Sequence, residues 1–496
     1  MVVGVDAVPI SVEATLRGAG APRILGRVDP VVREAYHRIL TAFSASGLGM
    51  PRGAPTINFA PAHLRKSGSG FDLPMALALA GAAGLLAPER TATVWALGEL
   101  SLQGAILPTR GAVAVAIAAA TQPGAELLAN PRDAAAAALV PGVDVRPVAT
   151  LRDALLWLRG EHELPPAAPA PLQNHPTGPD LADIRGHETP KQALAVAAAG
   201  RHNLLFVGPP GSGKSALLRR LPGLLVPPQP EEQLDILKIH TVHGSPAARV
   251  TARPVRAPHH SSSHVSLLGG GPEVRPGEVT LAHRGVLYLD ELAEFRREAL
   301  EGLRQPLEDG VMVVGRARGT VRMPAEFLLV AAMNPCPCGY LGHTTRPCVC
   351  GPAQQRRYRA RVSGPLLDRL DLQVEVPALD PAELRAPAQP DGTTAALRAR
   401  VAVAVARQQQ RNLQHGRTVP NGQLHDAALE AVIGRDAAIY DALDEAMRAF
   451  HLSGRARVRL LRVARTLADL DDTERVTPTH ILEAVRLRAV ERSWHH

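Results

Sequence analysis

The run Gly208-Pro209-Pro210-Gly211-Ser212-Gly213-Lys214-Ser215 lies between an apolar stretch at 203–207 and a helix-forming stretch at 216–221. Glycines at this spacing let backbone N–H groups wrap phosphate oxygens at the start of a helix. The lysine then reaches the outer phosphates and the serine hydroxyl ligates Mg²⁺. The run predicts a nucleoside triphosphate site, with ATP and Mg²⁺ as its ligands. Lysine usage agrees, because the chain holds 55 Lys and Arg of which only Lys66, Lys191, Lys214 and Lys238 are lysines. Arginine serves wherever charge alone is wanted. A compact ammonium fits between β- and γ-phosphates, and a planar guanidinium does not.

A second group follows downstream. Val286-Leu287-Tyr288-Leu289 reads as a buried strand ending in Asp290-Glu291. Asp290 is placed to hold Mg²⁺ through its water shell, and Glu291 to orient and deprotonate an attacking water. A third strand at 327–333 ends at Asn334, which is either a water-positioning amide or a turn residue. Arg369 closes the stretch Ser363-Gly364-Pro365-Leu366-Leu367-Asp368. An arginine after a short helix can stabilise charge on a neighbouring subunit's γ-phosphate, or be solvated surface in an arginine-rich chain.

The only cysteines, Cys336, Cys338, Cys348 and Cys350, form two Cys-x-Cys pairs in one loop rich in Gly and Pro. Four thiolates so close predict a structural, tetrahedral zinc, with His343 able to replace one ligand, although the spacing does not itself exclude an iron–sulfur cluster. His259, His260 and His264 read as hydrogen-bonding residues of a polar loop rather than as metal ligands. Residues 311–322 read as a hairpin with Arg316 and Arg318 near its tip, either a grip on a phosphate backbone or a solvated turn.

These residues need elements to hold them. A chain of 496 residues, 46% hydrophobic, accommodates about three domains. A Pro-rich stretch at 163–180 reads as a linker between an N-terminal domain, 1–162, and a nucleotide-binding α/β region, 181–380. Residues 1–162 alternate strands (8–16, 56–60, 92–97, 105–108) with helices (30–45, 71–86, 111–121, 132–139), an α+β or α/β pattern. Residues 381–496 are helical in spacing, with helices at 393–412, 426–433, 436–449, 456–468 and 478–490. No apolar run has the length of a membrane span and no basic-then-apolar leader opens the chain, so a cytoplasmic location is expected. The net charge of +8 and pI near 9.8 permit a polyanionic partner without demonstrating one, because the arginine excess reads as a general compositional bias.

The order of these motifs resembles the AAA+ ATPases, and in detail the magnesium-chelatase-like YifB/ComM family. The matching stretches are Arg256-Ala257-Pro258-His259-His260-Ser261, Leu268-Gly269-Gly270-Gly271, Pro276-Gly277-Glu278-Val279-Thr280-Leu281-Ala282-His283-Arg284-Gly285, Ala332-Met333-Asn334-Pro335-Cys336-Pro337-Cys338-Gly339, Ser453-Gly454-Arg455 and Leu461-Arg462-Val463-Ala464-Arg465-Thr466-Leu467-Ala468-Asp469-Leu470. The resemblance implies three parts: an N-terminal Lon-protease-like (S5-like) α+β domain, a central AAA+ P-loop α/β domain and a C-terminal helical lid. It makes Asn334 a first sensor, Arg369 an arginine finger and Arg455 a second sensor that contacts nucleotide. It further implies a homo-oligomeric ring, expected to be a hexamer, that translocates on single-stranded or branched DNA. The work expected of it is branch migration of recombination intermediates during DNA uptake or repair. A metal-chelatase-type motor subunit and an ATP-dependent protease or chaperone are the other readings. The protease reading is disfavoured because Leu107-Pro108-Thr109-Arg110-Gly111 offers Arg110, not a lysine base, opposite Lys66-Ser67-Gly68-Ser69-Gly70.

Overall fold

Strands buried on both faces carry apolar residues at every position. Leu204–Val207, Val286–Leu289 and Leu328–Met333 are such strands, buried along their whole length. The computed structural model describes residues 1–490, apart from 19, 48, 50, 174–177, 246–248, 272–273, 317–318, 344, 381–382, 384, 386–391, 415–418, 451 and 489. In it these three strands pair in parallel, flanked by Val255–Arg256 and Leu372–Glu375. The spatial order runs Val255–Arg256, Val286–Leu289, Leu328–Met333, Leu204–Val207, Leu372–Glu375. Register pairs Val207 with Met333 and Leu289 with Ala331, so the segments leaving these three strands emerge side by side at one edge.

Side chains alternate across the sheet with period two. Leu204, Phe206, Tyr288 and Val330 face a layer built from helix Glu188–Gly200 and helices Thr394–Gln414 and Gly454–Leu470. Leu205, Leu287 and Leu329 face Leu267, Leu300 and Tyr358 on the other side. The chain is thus a mixed α/β protein with a parallel sheet and a helical C-terminal region. That region also contains helices Asp426–Ile433, Ala437–Ala449 and Pro478–Arg486.

The N-terminal region holds two three-stranded sheets with their own apolar clusters. One joins Ser11–Arg17, Ala54–Ala60 and Arg23–Leu25; the other is parallel and joins Val94–Leu97, Glu126–Ala129 and Asp144–Pro147. The Pro-rich stretch is not free in its first half, since Ala167 N–H donates to Val145 O at 2.8 Å and Ala170 N–H to Ala135 O at 2.7 Å. Several helices escape the sequence reading, Leu151–Leu158, Glu188–Gly200 and Pro230–His243 among them. Leu151–Leu158 carries a Thr150/Asp153 capping box that marks its start, and Pro230–His243 opens with proline at its first turn. The helix after the phosphate loop is shorter than expected, Lys214–Leu218. Pro222, without an N–H, sits in the 3₁₀ turn Leu221–Leu224 that follows. Among the described residues no helix is long and apolar enough to cross a membrane.

Candidate ATPase site

The phosphate loop folds as its glycines allow. Gly211 and Gly213 adopt φ of 79° and 89°, a left-handed backbone that a side chain would strain. At Gly208 a Cβ would meet Val376 O at 2.0 Å, so only glycine lets the loop leave the sheet beside that strand. Ser212 Oγ is buried without a partner among the described residues. His187, itself buried at 9% exposure, lies against this loop with an unpartnered Nδ1. A concave loop with unused donors fits a phosphate chain.

Lys214 is folded back onto that loop. Its Nζ donates to Gly208 O and Pro209 O, each at 2.7 Å, and to Asn334 Oδ1 at 3.4 Å. Among the described residues no carboxylate bonds the ammonium directly, and burial lowers its pKa to about 8. A buried cation held by neutral oxygens is poised for an anionic ligand. Ser215 Oγ donates to Asp290 Oδ2 at 2.7 Å, joining the loop to the second motif. Tyr288 OH donates to the same oxygen at 2.6 Å, and burial raises the phenol's pKa. That tyrosine escapes the sequence reading. Its signal is a phenol inside an otherwise aliphatic buried strand, where the hydroxyl needs a partner.

Glu291 follows in the left-handed region at φ 51°, with its side chain 58% exposed. Its carboxylate Oε2 lies 3.1 Å from His260 Nδ1. The structure therefore gathers Gly208 to Ser215, Asp290, Glu291 and Asn334 at one edge of the sheet. Lys214 and Ser215 can hold phosphate and Mg²⁺ together with Asp290, whose paired oxygen chemistry suits a hard cation.

Arg369 and Arg455 stand elsewhere. Asn203, at the opposite end of the Leu204–Val207 strand from the phosphate loop, donates from Nδ2 to Arg369 O at 3.1 Å. The Arg369 guanidinium bonds Pro365 O at 2.7 Å and the Glu308 carboxylate, while its buried Nε has no partner among the described residues. Arg455 lies 3.5 Å from Asp368 and is 70% exposed. A cavity of about 900 Å³ is lined by Arg369, Arg455, Arg459, Arg462, Glu308 and Asp368, and by no residue of the phosphate loop. Within one chain, then, the expected second sensor does not reach the chain's own phosphate loop, because its helix starts beside Asp368 at the far edge of the sheet.

The four cysteines converge. Sγ atoms of Cys336, Cys338 and Cys348 lie 3.4 to 3.6 Å apart, and all four thiols fall within 4.8 Å of one another. Tetrahedral zinc with bonds of about 2.3 Å separates its sulfurs by about 3.8 Å, so the cluster fits that ion. Burial pushes the Cys336 thiol up, whereas backbone N–H groups, that of Tyr340 foremost, pull Cys338 down. His343 does not join: its Nδ1 accepts from Thr345 N–H at 3.1 Å and Arg346 N–H at 3.2 Å, closing its own turn. Gly339, φ 84°, brings the cysteine loop against the phosphate loop so closely that a Cβ there would lie 2.6 Å from Pro210 Cδ. The hairpin Val311–Arg316 and Gly319–Pro324 forms, but the Arg316 side chain and Arg318 lie outside the described residues.

Comparison with known proteins follows these motifs closely. Family models described as magnesium chelatase, subunit ChlI, match residues 180–384, with the subunit ChlI of Mg-chelatase model at 11–132 and the ChlI C-terminal model at 391–488. The chain is 37% identical to the uncharacterized protein YifB of Salmonella typhimurium, covering 99% of this chain and 96% of that one. It is likewise 37% identical to the competence protein ComM of Haemophilus influenzae, with 99% and 96% covered. Similarity to the magnesium-chelatase 38 kDa subunit of Cereibacter sphaeroides is narrower, 29% over 31% of this chain and 51% of that one. The phosphate loop, its acidic strand and the full-length match together make this chain a member of the YifB/ComM family of magnesium-chelatase-like AAA+ ATPases.

Proposed function

We propose that the chain is the subunit of a homo-oligomeric ring, a hexamer, that hydrolyses ATP to move along single-stranded or branched DNA and drives branch migration. The observation that carries the ring is the split of the constellation. Lys214, Ser215, Asp290, Glu291 and Asn334 lie at one edge of the sheet, and Arg369 and Arg455 line a cavity at the other. Stacking one subunit's arginine edge on the next subunit's phosphate loop completes each site. Lys214 leaves its carbonyl partners for the outer phosphates, Ser215 and Asp290 hold Mg²⁺, and Asn334 orients the attacking water. Glu291 accepts that water's proton, and Arg369 with Arg455 from the neighbour meets charge developing on the γ-phosphate. Bound Mg²⁺ supplies further neutralisation of phosphate charge.

DNA as the track is supported by full-length similarity to a protein named for competence, and the basic balance of the chain permits it. The four cysteines are assigned to structural zinc. The N-terminal region 1–162 is assigned a non-proteolytic role, because its single lysine, Lys66, donates to the carbonyls of Phe59 and Pro61 rather than to a serine hydroxyl. Arg110, Ser67 and Ser69 line a cavity of about 1480 Å³ together with His243 and Arg275. A chelatase-type motor is the second reading, favoured by the match to the 38 kDa subunit. ATPase rate with and without branched DNA at low salt separates the two. A several-fold stimulation, absent in Lys214→Ala, is expected of the DNA motor, and an unstimulated rate removes it.

A further inference from the structure

In the N-terminal region two strands keep one edge without a partner. Among the described residues Val94–Leu97 pairs only with Glu126–Ala129, and Ser11–Arg17 only with Ala54–Ala60. Both strands line the cavity of about 1480 Å³. The open edge shows in burial. Leu127, Leu128 and Ala129, in a strand with neighbours on both sides, are each 0% exposed. Val94, Trp95, Ala96 and Leu97 are as apolar, with Val94 and Ala96 packed on one apolar cluster and Trp95 and Leu97 on another, yet all four are only half-buried. Free edges are ordinarily blunted by charge, proline or a bulge, because their unpaired N–H and C=O groups template further pairing. Val94–Leu97 has no charge and no proline, and its register with Glu126–Ala129 is unbroken.

A recessed edge admits a single chain but not a second sheet. The cavity is larger than the roughly 300–1,000 Å³ of small-molecule pockets, and its floor is apolar. Helix Asp72–Ala82 packs on both strands, and its Pro74, Leu77 and Ala78 line the cavity. One end is cationic. A Cβ at Gly70 would lie 2.8 Å from Leu97 Cδ1 and 3.9 Å from Thr109 Cγ2, so the strand ends beside Thr109 and Arg110. Arg110 lies against Gly244 and has no hydrogen-bond or ion-pair partner among the described residues. His243 and Arg275 line the cavity with it. Burial first and Arg256 next hold His243 below the usual imidazole value, with Arg110 and Arg275 adding and Glu278 opposing. The acids that line the cavity are engaged elsewhere. Asp29 accepts from Val32 N–H at 3.0 Å and Gly68 N–H at 3.3 Å, Glu13 accepts from Asn58 Nδ2 at 3.3 Å, and Glu99 lies in the field of Arg38.

We propose that this groove receives an extended peptide segment of a partner protein as an added strand on the free edge of Val94–Leu97, with acidic residues at the end that passes Arg110. Main-chain hydrogen bonds to the edge supply affinity with little regard to sequence, and alternate side chains settle on the apolar floor. Arg110 sets the charge of one end. Nucleic acid fits less well, because a sugar–phosphate backbone cannot continue a strand ladder and Pro74, Leu77 and Ala78 offer it no cation.

The test uses the full-length chain and fluorescein-labelled peptide pools of about eight residues, random but alternating apolar and polar, with aspartates, lysines or serines at either end. The aspartate pools are expected to bind at least about tenfold more tightly than the lysine pools. Arg110→Glu is expected to reverse that preference. Ala78→Trp fills the floor and is expected to weaken every pool at least about tenfold, both variants keeping the unfolding temperature of wild type. In the aspartate pools, methylation of one alternating set of backbone nitrogens is expected to abolish binding to the wild type, since alternate N–H groups of an added strand face the edge. Aspartate pools that bind no better than lysine pools, binding unaffected by Ala78→Trp, or tolerance of methylation on both alternating sets overturns the inference. So does single-stranded DNA that binds the wild type and not Ala78→Trp while every peptide pool fails, which gives the groove to nucleic acid.

Discussion

At the scale of single residues the site is organised around one buried cation and one shared carboxylate oxygen. Lys214 loses its proton through about pH 8 in the folded chain, against 10.5 for an unperturbed lysine. Burial is the cause, so the sign follows: the folded state binds fewer protons between those values. The resulting stability cost is fully present below pH 8 and is relieved as pH rises toward 10.5. Phosphate reverses the balance by stabilising the ammonium. Binding of a nucleotide above pH 8 must then take up a proton, and affinity should fall by up to about tenfold per pH unit there. Calorimetry in two buffers of different ionisation enthalpy reads this directly. Proton uptake near zero at pH 7 should approach one at pH 9, and uptake that does not change with pH contradicts the assignment. Asp290 Oδ2 takes hydrogen bonds from both Ser215 and Tyr288, which fixes it before any ion arrives.

At the scale of elements the surprising contact is the cysteine loop on the phosphate loop. The loop leaves the sheet at Asn334, gathers its thiols, and sends Gly339 against Pro210. A methyl at 339 would strain a φ of 84° and press on Pro210 while leaving the four thiols untouched. Gly339→Ala should therefore keep the metal content of the unsubstituted protein and yet bind a fluorescent nucleotide about tenfold more weakly, equivalent to about 1.4 kcal/mol. Metal analysis beside a binding titration checks both halves. Unchanged affinity would mean that the two loops touch without coupling. Much of this level was legible beforehand. Apolar runs before Gly208, Asp290 and Asn334 gave the strands, because strands covered on both faces cannot hide their composition. The loop contacts were not legible. His260 meets Glu291, and Gly339 meets Pro210, only because strand order brings segments distant in sequence together, and a linear pattern carries no strand order. The lid motif is explained the same way. Thr466 Oγ1 is 2.8 Å from His202 Nε2, which ties the C-terminal helical region to the residues just before the phosphate-loop strand, and Asp469 accepts from Arg411, Arg465 and Asn421 within that helical region.

At the scale of the whole molecule the decisive feature is distance along the sheet. A strand carries its two ends to opposite edges of the sheet, so residues at Asn203 and Gly208 cannot serve one ligand. Arg369 is anchored at the first and the phosphates belong at the second. Read from the sequence, Arg369 and Arg455 were separate assignments, one a finger for a neighbour's γ-phosphate and the other a second sensor that contacts nucleotide. Their common cavity makes both candidates for the neighbour's nucleotide, and subunit mixing separates the possibilities. Lys214→Ala rings lack a working phosphate loop and Arg369→Ala rings lack the finger, so each alone should fall at least about 100-fold in ATPase rate. In a mixed ring some interfaces join the intact loop of an Arg369→Ala subunit to the intact Arg369 of a Lys214→Ala subunit. At equal proportions about a quarter of interfaces qualify by random assortment, and activity should return to that order when sites fire independently. The same mixture with Arg455→Ala in place of Arg369→Ala should recover likewise if Arg455 also works across the interface. Recovery with Arg369→Ala but not with Arg455→Ala would return Arg455 to its own subunit, and no recovery in either mixture would place the finger within a single chain, against the geometry of this sheet.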